Sequence, residues 1–256
     1  MGAEVEIIVM PPSMRASKEA AAELKRIKPD VVMLNLPENI SDLVQDLASE
    51  DLEYEDFIEK IGERLPSPAE AWLKGYEHIL LELRELERSP DVYCYGDLIS
   101  FEVEARRAVE VARLTLRTMI TGRVDADEWL KLLSEERRII EAGSIREAEK
   151  VASTLIRYER AACISEHAPT HLKARLAREG MMTRVRYVGQ PYHFTPLEIL
   201  RRKIVKGGVS REEVEALVKE HVKFIREYVY HKPLLEALDE WSVRKLYWLH
   251  GRGDKP

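Results

Sequence analysis

The chain has 256 residues, with 46 acidic and 40 basic side chains, a net charge of −6, and 45% hydrophobic residues. This composition excludes collagen-like, low-complexity and disordered chains, and no apolar run reaches the roughly 18 residues that a transmembrane helix needs. The length allows either one elaborated domain or two. We therefore expect a globular protein with a sizeable hydrophobic core and no membrane partner.

Two further counts predict where the protein functions. Cys94 and Cys163 are too few for a disulfide framework, and the acidic N-terminus lacks the features of a signal peptide. We therefore predict a cytoplasmic protein. Side-chain amides are scarce, with two Asn and two Gln, whereas Glu, Lys and Arg are abundant. This depletion is typical of hyperthermophiles and predicts an archaeal or similar thermophilic source.

Hydrophobic periodicity predicts strands that alternate with helices. Val5–Met10 and Val31–Leu36 are apolar runs, and a helix from about Ser17 to Lys28 separates them. A right-handed crossover in this β-α-β unit would place the two strands side by side. Further strands are predicted at 92–95 and 183–188, and further helices at about 101–121, 125–142, 145–167, 210–230 and 233–250. The pattern predicts an α/β fold with a small, mostly parallel sheet and an excess of helices.

The domain organisation follows from changes in charge along the chain. Residues 1–206 are predicted to form the α/β core, with a helical insertion at about 38–91 that carries sixteen acidic and five basic side chains. Two C-terminal helices at 207–250 are expected to pack on this core. The last residues, 251–256, are predicted to be a loose tail.

Candidate functional residues follow the predicted strands. Ligands of such sheets bind beyond the carboxyl ends of the strands. Asp97 comes directly after the strand at 92–95, and His193 lies in the loop after the strand at 183–188. Both also have a structural interpretation, because Asp97 could cap the following helix and His193 could be a surface histidine.

Glu159 is a charged residue at a position that is expected to be buried. On the predicted helix 145–167 its spacing places it within the apolar stripe, next to Arg160. A buried carboxylate needs a partner. It is either a general base or one member of a structural salt bridge, with Arg106 or Arg107 as the expected cation.

A second set of residues has the chemistry of zinc ligands. Cys163, His167 and His171 are four residues apart and would share one face of a continuous helix as zinc ligands. Pro169 interrupts that helix and would turn His171 away. We therefore predict no metal site and no cofactor.

A basic region covers residues 173–206, where nine Lys or Arg face two Glu and Tyr192 is one of three interleaved aromatics. The region could bind nucleic acid or a phosphorylated ligand. Alternatively, the acidic segment of the same or another subunit neutralises it. These opposed charges, with Trp241, Tyr247 and Trp248 near the C-terminus, predict a homodimer.

The order of the motifs resembles the TraB/PrgY family, and more broadly the superfamily that joins TraB, Tiki proteases, ChaN haem-binding proteins and erythromycin-esterase-like enzymes. The resemblance spans about residues 5–206. Its carriers are the run Lys28–Val32, the strand ending Tyr93–Asp97, the arginines Arg106 and Arg107, the pair Glu159-Arg160 and the turn Gly189–His193. It implies a TraB-like core.

The chain departs from this family where metal ligands are expected. The first family motif would end at Ser13, and the acidic residue of the second strand falls at Asn35. We therefore expect a degenerate member with a binding or regulatory role, for a small-molecule or peptide ligand. The alternatives are nucleic-acid or phosphate-ligand binding through residues 173–206, and a diverged hydrolase. The hydrolase would use Glu159, Asp97 and His193 as catalytic residues, and Arg106, Arg107, Arg160, Ser13, Asn35 and Tyr192 as binding residues.

Overall fold

A computed structural model describes residues 3–66, 73–166 and 169–246 of the chain. Within these residues five strands alternate with ten α-helices. The strands are β1 (Glu4–Val9), β2 (Val31–Pro37), β3 (Asp91–Gly96), β4 (Arg160–Ser165) and β5 (Met182–Tyr187). The helices are α1 (Met14–Ile27), α2 (Ser41–Ala48), α3 (Tyr54–Arg64), α4 (Glu77–Arg84), α5 (Leu98–Thr121), α6 (Ala126–Leu155), α7 (Thr170–Arg178), α8 (Pro196–Lys206), α9 (Arg211–Glu227) and α10 (Leu234–Lys245).

The five strands form one parallel sheet in the order β3-β2-β4-β1-β5. This arrangement confirms the predicted α/β class, with a small parallel sheet and an excess of helices. The neighbours of β1 are β4 and β5, so β4 separates β1 from β2. The prediction that the first two strands lie side by side was therefore wrong, because a strand from later in the chain fills the space between them.

The inserted strand β4 lies in a segment for which periodicity predicted a helix. The predicted helix 145–167 ends at Leu155, and the chain then turns before β4 begins at Arg160. Ala162 fits the predicted helical stripe by its spacing, but it is completely buried in the middle of the sheet, as is Ala161. A strand that is buried on both faces has no polar alternation that would distinguish it from a buried helix.

Helix α6 joins two helices that were predicted to be separate. The predicted break at Gly143 is absent, and the helix continues from Ala126 to Leu155. A Cβ atom at Gly143 would lie 2.1 Å from Oγ of Ser100, near the start of α5. The glycine therefore marks a close approach between two helices, for which only a residue without a side chain leaves room.

Helices cover both faces of the sheet. Buried residues of α1, α2, α3 and α4 pack on one face, around Phe57 and Tyr76. The last turns of α6 and helix α7 pack on the other face, around Val151 and Leu176. The acidic segment at 38–91 is therefore the crossover between β2 and β3, and its apolar residues complete the core of the sheet.

The chain divides into two compact units. Unit 1 contains the described residues of 1–102 and 141–190 and holds the whole sheet, whereas unit 2 contains those of 103–140 and 191–256 and is helical. Unit 2 has cores of its own, around Trp129 and around Trp241. The division differs from the predicted core of 1–206, because residues 103–140 and 191–206 belong with the C-terminal helices.

The C-terminal helices begin close to their predicted positions. Ser210 caps α9 through a reciprocal capping box with Glu213. Residues 247–250 of the predicted last helix and the predicted tail 251–256 lie outside the described residues. Across the described part of the chain, no helix is long and apolar enough to cross a membrane.

Candidate active site

The topology marks one edge of the sheet of unit 1 as the place for a ligand. From β1 the chain leaves toward β2, whereas from the adjacent β4 it leaves in the opposite direction, toward β5. Ligands of open parallel sheets bind beyond the carboxyl ends of the strands at such a reversal. We call this side of the sheet, where residues 35, 97 and 166 lie at or just after strand ends, the carboxyl edge.

Glu166 directly follows β4 at the carboxyl edge. Its carboxyl group is partly buried, and interaction with the hydroxyl of Tyr76, whose side chain is completely buried, lowers the pKa of Glu166. The same hydroxyl lies 3.5 Å from the main-chain oxygen of Asn35 in β2. The hydroxyl of a core tyrosine therefore lies at the end of β2 and interacts with Glu166 after β4.

Glu147 reaches the same edge from helix α6. One carboxyl oxygen accepts the backbone N–H of Asp97 at 3.0 Å, and interaction with the side chain of Asn35 lowers the pKa of Glu147. The charge of Glu147 acts on Glu166, so the two carboxyl groups form an interacting pair. Asn35, which was predicted as a binding residue, connects this pair to β2.

The environment of each carboxyl group favours its neutral form, with different groups opposing the effect of burial. Burial raises the pKa of Glu147 and the pKa of Glu166 above the ordinary glutamate value. For Glu166 the charge of Glu147 raises the pKa further, against the hydrogen bond from Tyr76. For Glu147 the hydrogen bonds from Asp97 and Asn35 oppose the effect of burial. Two carboxyl groups in unlike environments can hold different protonation states.

Asp97 follows β3, as predicted, and both of its carboxylate oxygens accept hydrogen bonds. Arg146 donates from Nε to Oδ1 at 2.8 Å and from a terminal nitrogen to Oδ2 at 2.7 Å. Oδ2 also accepts the backbone N–H of Ser100 at 2.9 Å, which caps the start of α5. The hydrogen bonds from Arg146 lower the pKa of Asp97 to about 2. The structure thus shows Asp97 as an ionised helix cap.

Ser13 has a structural role. Its hydroxyl oxygen accepts the backbone N–H of Ala16 at 3.1 Å and caps α1, and the residue is only 1% exposed. Ser13 was predicted as a binding residue, but its buried hydroxyl is used by the helix cap.

Glu159 and Arg160 lie at the amino end of β4, opposite the carboxyl edge. Glu159 is exposed, because it precedes a strand instead of occupying a buried helical stripe. The backbone N–H of Arg160 donates to the carboxylate of Asp30 at 3.0 Å, and its side chain is exposed. A strand advances by about 3.3 Å per residue, so Glu159 and Glu166 are on the order of 20 Å apart. The prediction that Glu159 forms one catalytic site with Asp97 was therefore wrong.

The arginines that were predicted to pair with Glu159 belong to unit 2. Arg107 forms ion pairs with Glu110 at 2.6 Å and with Glu135 at 2.9 Å. Arg106 is exposed on the same helix, α5. Both arginines therefore belong to the helical unit. The predicted ion pair assumed that Glu159 lies on a helix, but the helix ends at Leu155.

His193 and Tyr192 also belong to unit 2. The backbone N–H of His193 donates to Oγ of Ser242 at 3.2 Å, and its ring lies 6.0 Å from that of Trp241. Burial and the charge of Lys245 lower the pKa of His193. The hydroxyl of Tyr192 lies 3.1 Å from the carboxylate oxygens of Glu198. The predicted trio of Glu159, Asp97 and His193 is therefore spread over two units.

Carboxylates pair with some of the basic side chains at 173–206. Arg186 lies 3.2 Å from Glu23, and Arg201 forms a bidentate pair with the buried Glu136. Lys203 pairs with a further carboxylate at 2.6 Å. None of these partners comes from the acidic segment 38–91, so these ion pairs do not involve the segment that was predicted to neutralise the region.

The zinc hypothesis depended on a helix that is not formed. Cys163 is a buried residue of β4, and His171 is an exposed residue of α7. His167 lies outside the described residues. Within 3–66, 73–166 and 169–246, no three His, Cys, Asp or Glu side chains are grouped so that they could hold a metal ion.

Sequence reasoning missed both members of the carboxyl pair. Glu166 carried a usable signal, because it directly follows a short apolar run, as residues at the carboxyl end of a buried strand do. Glu147 carried none, since it resembles any other charged residue of a long helix. Tyr76 is a buried residue of the core, and its hydroxyl also interacts with Glu166.

No protein-family model, curated protein or solved structure matches the chain. The resemblance to the TraB/PrgY family therefore stays a prediction. The function has to be inferred from the geometry at the carboxyl edge.

Proposed function

We propose that unit 1 is a hydrolase of the acid–base type whose catalytic pair is Glu147 and Glu166. The supporting observation is that these two partly buried carboxyl groups lie at the carboxyl edge and interact with neutral groups: Glu147 accepts the backbone N–H of Asp97 and interacts with the Asn35 amide, and Glu166 interacts with the Tyr76 phenol. Structural carboxylates in partly buried places are usually paired with a cation, as Asp97 is with Arg146. Perturbed carboxyl groups at a ligand-binding edge are candidates for proton transfer.

The environments suggest which carboxyl group has which role. Glu166 is the general acid, because burial and the charge of Glu147 both favour its protonated form. Glu147 is the general base, because the donors Asp97 and Asn35 favour its ionised form. In hydrolysis Glu147 takes one proton from water as the oxygen attacks, and Glu166 gives its proton to the leaving group. Exchange with solvent then returns both groups to their starting states.

Two measurements on the whole chain test this proposal. Carbon-13 NMR of labelled glutamate side chains should show two carboxyl groups that titrate above the ordinary glutamate value. The pKa of Glu166 should fall in Glu147→Gln, since that substitution removes the neighbouring charge. Hydrolysis is measured on a panel of nitrophenyl esters, phosphates and glycosides and a peptide amide. Glu147→Gln and Glu166→Gln should each lower kcat/KM by roughly 10²- to 10⁴-fold.

Glu159→Gln is the matched control, because Glu159 is an exposed glutamate at the other end of β4. It should leave both the raised pKa values and the activity unchanged. The proposal is refuted if no glutamate titrates above its ordinary value, or if Glu159→Gln costs as much activity as Glu166→Gln. Ligand-induced shifts at the pair without turnover of any substrate would overturn the catalytic assignment in favour of the binding role predicted from the sequence.

Nucleic-acid binding through the basic region at 173–206 remains a prediction, and four of its nine basic side chains, Arg175, Arg186, Arg201 and Lys203, are paired with carboxylates. The cytoplasmic location, the homodimer and the thermophilic source remain predictions. None of them is needed for the acid–base proposal.

A further inference from the structure

Asp97 contacts two consecutive residues of α6 in two different ways. Its carboxylate binds the guanidinium group of Arg146 through two hydrogen bonds, and its backbone N–H donates to Glu147. Neighbouring side chains on a helix point about 100° apart around the axis. A residue that holds both therefore fixes the rotation of this turn of α6 relative to the end of β3.

The orientation of Asp97 is itself fixed. The backbone N–H and the hydroxyl of Ser100 both donate to Oδ2, at 2.9 and 2.8 Å. Gly143, one turn before Glu147, leaves room for Ser100, because any Cβ there would collide with its hydroxyl oxygen. The end of β3, the start of α5 and this turn of α6 are thereby joined through one carboxylate.

From this geometry we infer that Asp97 and Arg146 are positioning residues, which hold Glu147 at the carboxyl edge for the proposed proton transfer. The inference rests on the proposed function, and it gives Asp97 a role different from the catalytic one predicted from the sequence. Errors of about 1 Å in the placement of a reacting group can cost on the order of 10²-fold in rate. We therefore expect loss of either partner to reduce kcat more than it changes KM.

The two substitutions should act on Glu147 in opposite directions. The charge of Asp97 raises the pKa of Glu147, whereas the charge of Arg146 lowers it. Asp97→Asn should therefore lower the pKa of Glu147, and Arg146→Gln should raise it. Opposite shifts would show that both charges act on Glu147, and a loss of kcat larger than the change in KM would distinguish positioning from a purely structural role.

The test uses the full chain and measures the pKa of Glu147 by carbon-13 NMR, together with kcat, KM and the pH profile. Asp97→Asn preserves the backbone N–H and the helix cap, since Asn is also a good N-cap, so the fold should survive. Lys150→Gln is the matched control: it breaks an ion pair with Glu38 one turn further along α6 without touching Asp97. Asp97→Asn and Arg146→Gln should each lower kcat roughly tenfold or more, and Lys150→Gln should not.

Failure of the inference can be distinguished from failure of the proposed function. If Glu147 has an ordinary pKa in the native protein, or if Glu147→Gln retains full activity, the proposed function is wrong and the positioning role falls with it. If both hold but Asp97→Asn and Arg146→Gln behave like Lys150→Gln, only the positioning role is wrong. Shifts of the pKa of Glu147 in the same direction in both variants would also overturn it.

Discussion

His221 of α9 is a titratable group inside the core of unit 2. The residue is 6% exposed, its ring lies 6.2 Å from that of Trp129, and its Nδ1 has no hydrogen-bond partner in the described part of the chain. Burial, helped by the charge of Arg201, lowers the pKa of His221 to about 4. An unfolded chain protonates the same histidine near pH 6.5.

Acid should therefore weaken the fold through His221. Below about pH 6.5 the unfolded chain takes up a proton that the folded chain does not, so the free energy of unfolding falls as the pH falls. The loss is complete near pH 4 and amounts to about 3 kcal/mol, at about 1.4 kcal/mol for each pKa unit. About 2 kcal/mol of it is lost between pH 7 and pH 5.

The substitution His221→Leu removes the titrating group and changes the volume little. At pH 7 it should leave the protein at least as stable, because an unpaired buried nitrogen disappears. At pH 5 it should be more stable than the native chain by about 2 kcal/mol beyond that difference. Guanidinium unfolding, followed by tryptophan fluorescence at both pH values, measures this, with the exposed His231→Leu as control. An equal pH dependence in native protein and His221→Leu would refute the reasoning.

Two further predictions concern stability. Gly143→Ala should destabilise the protein by about 1–3 kcal/mol in denaturant unfolding, because its Cβ would lie 2.1 Å from Oγ of Ser100. By contrast Gly62→Ala, at a helical glycine with open space around it, should stabilise the protein by up to about 1 kcal/mol, and an equal effect at both positions would contradict the packing argument. If the scarcity of amides reflects a hyperthermophilic source, calorimetry should find a Tm above about 90 °C, and a Tm near 55 °C would contradict that origin.

The parts of the fold that the sequence predicts well are those with a clear period and clear ends. The helix at 17–28 and the apolar strand at 31–36 are bounded by Pro29-Asp30 and Pro37, and both exist in the structure. The strand at 183–188 was placed within one residue, because at the sheet edge its exposed positions alternate with partly buried ones. The strand order could not be predicted, because nothing in the sequences of β1 and β2 indicates that β4 lies between them.

The candidate site was only partly predictable. Asp97 and Asn35 were found, because they lie at the ends of strands that the sequence shows. Glu147 depends on which face of α6 meets the sheet and on the close approach at Gly143. Both are properties of packing. His193 was combined with Asp97 because both follow strands, a rule that cannot tell which unit a loop joins.

The assignment of one segment decided which glutamate entered the predicted site. Glu159 and Glu166 are seven residues apart, which on a helix is two turns and places both side chains on one face. On a strand the same spacing separates them by the whole depth of the sheet. Glu159 then lies at the amino end, where parallel sheets do not bind ligands, and Glu166 lies at the carboxyl edge, where they do. For an α/β chain, the assignment of each short apolar run as strand or helix must therefore precede any assignment of catalytic residues.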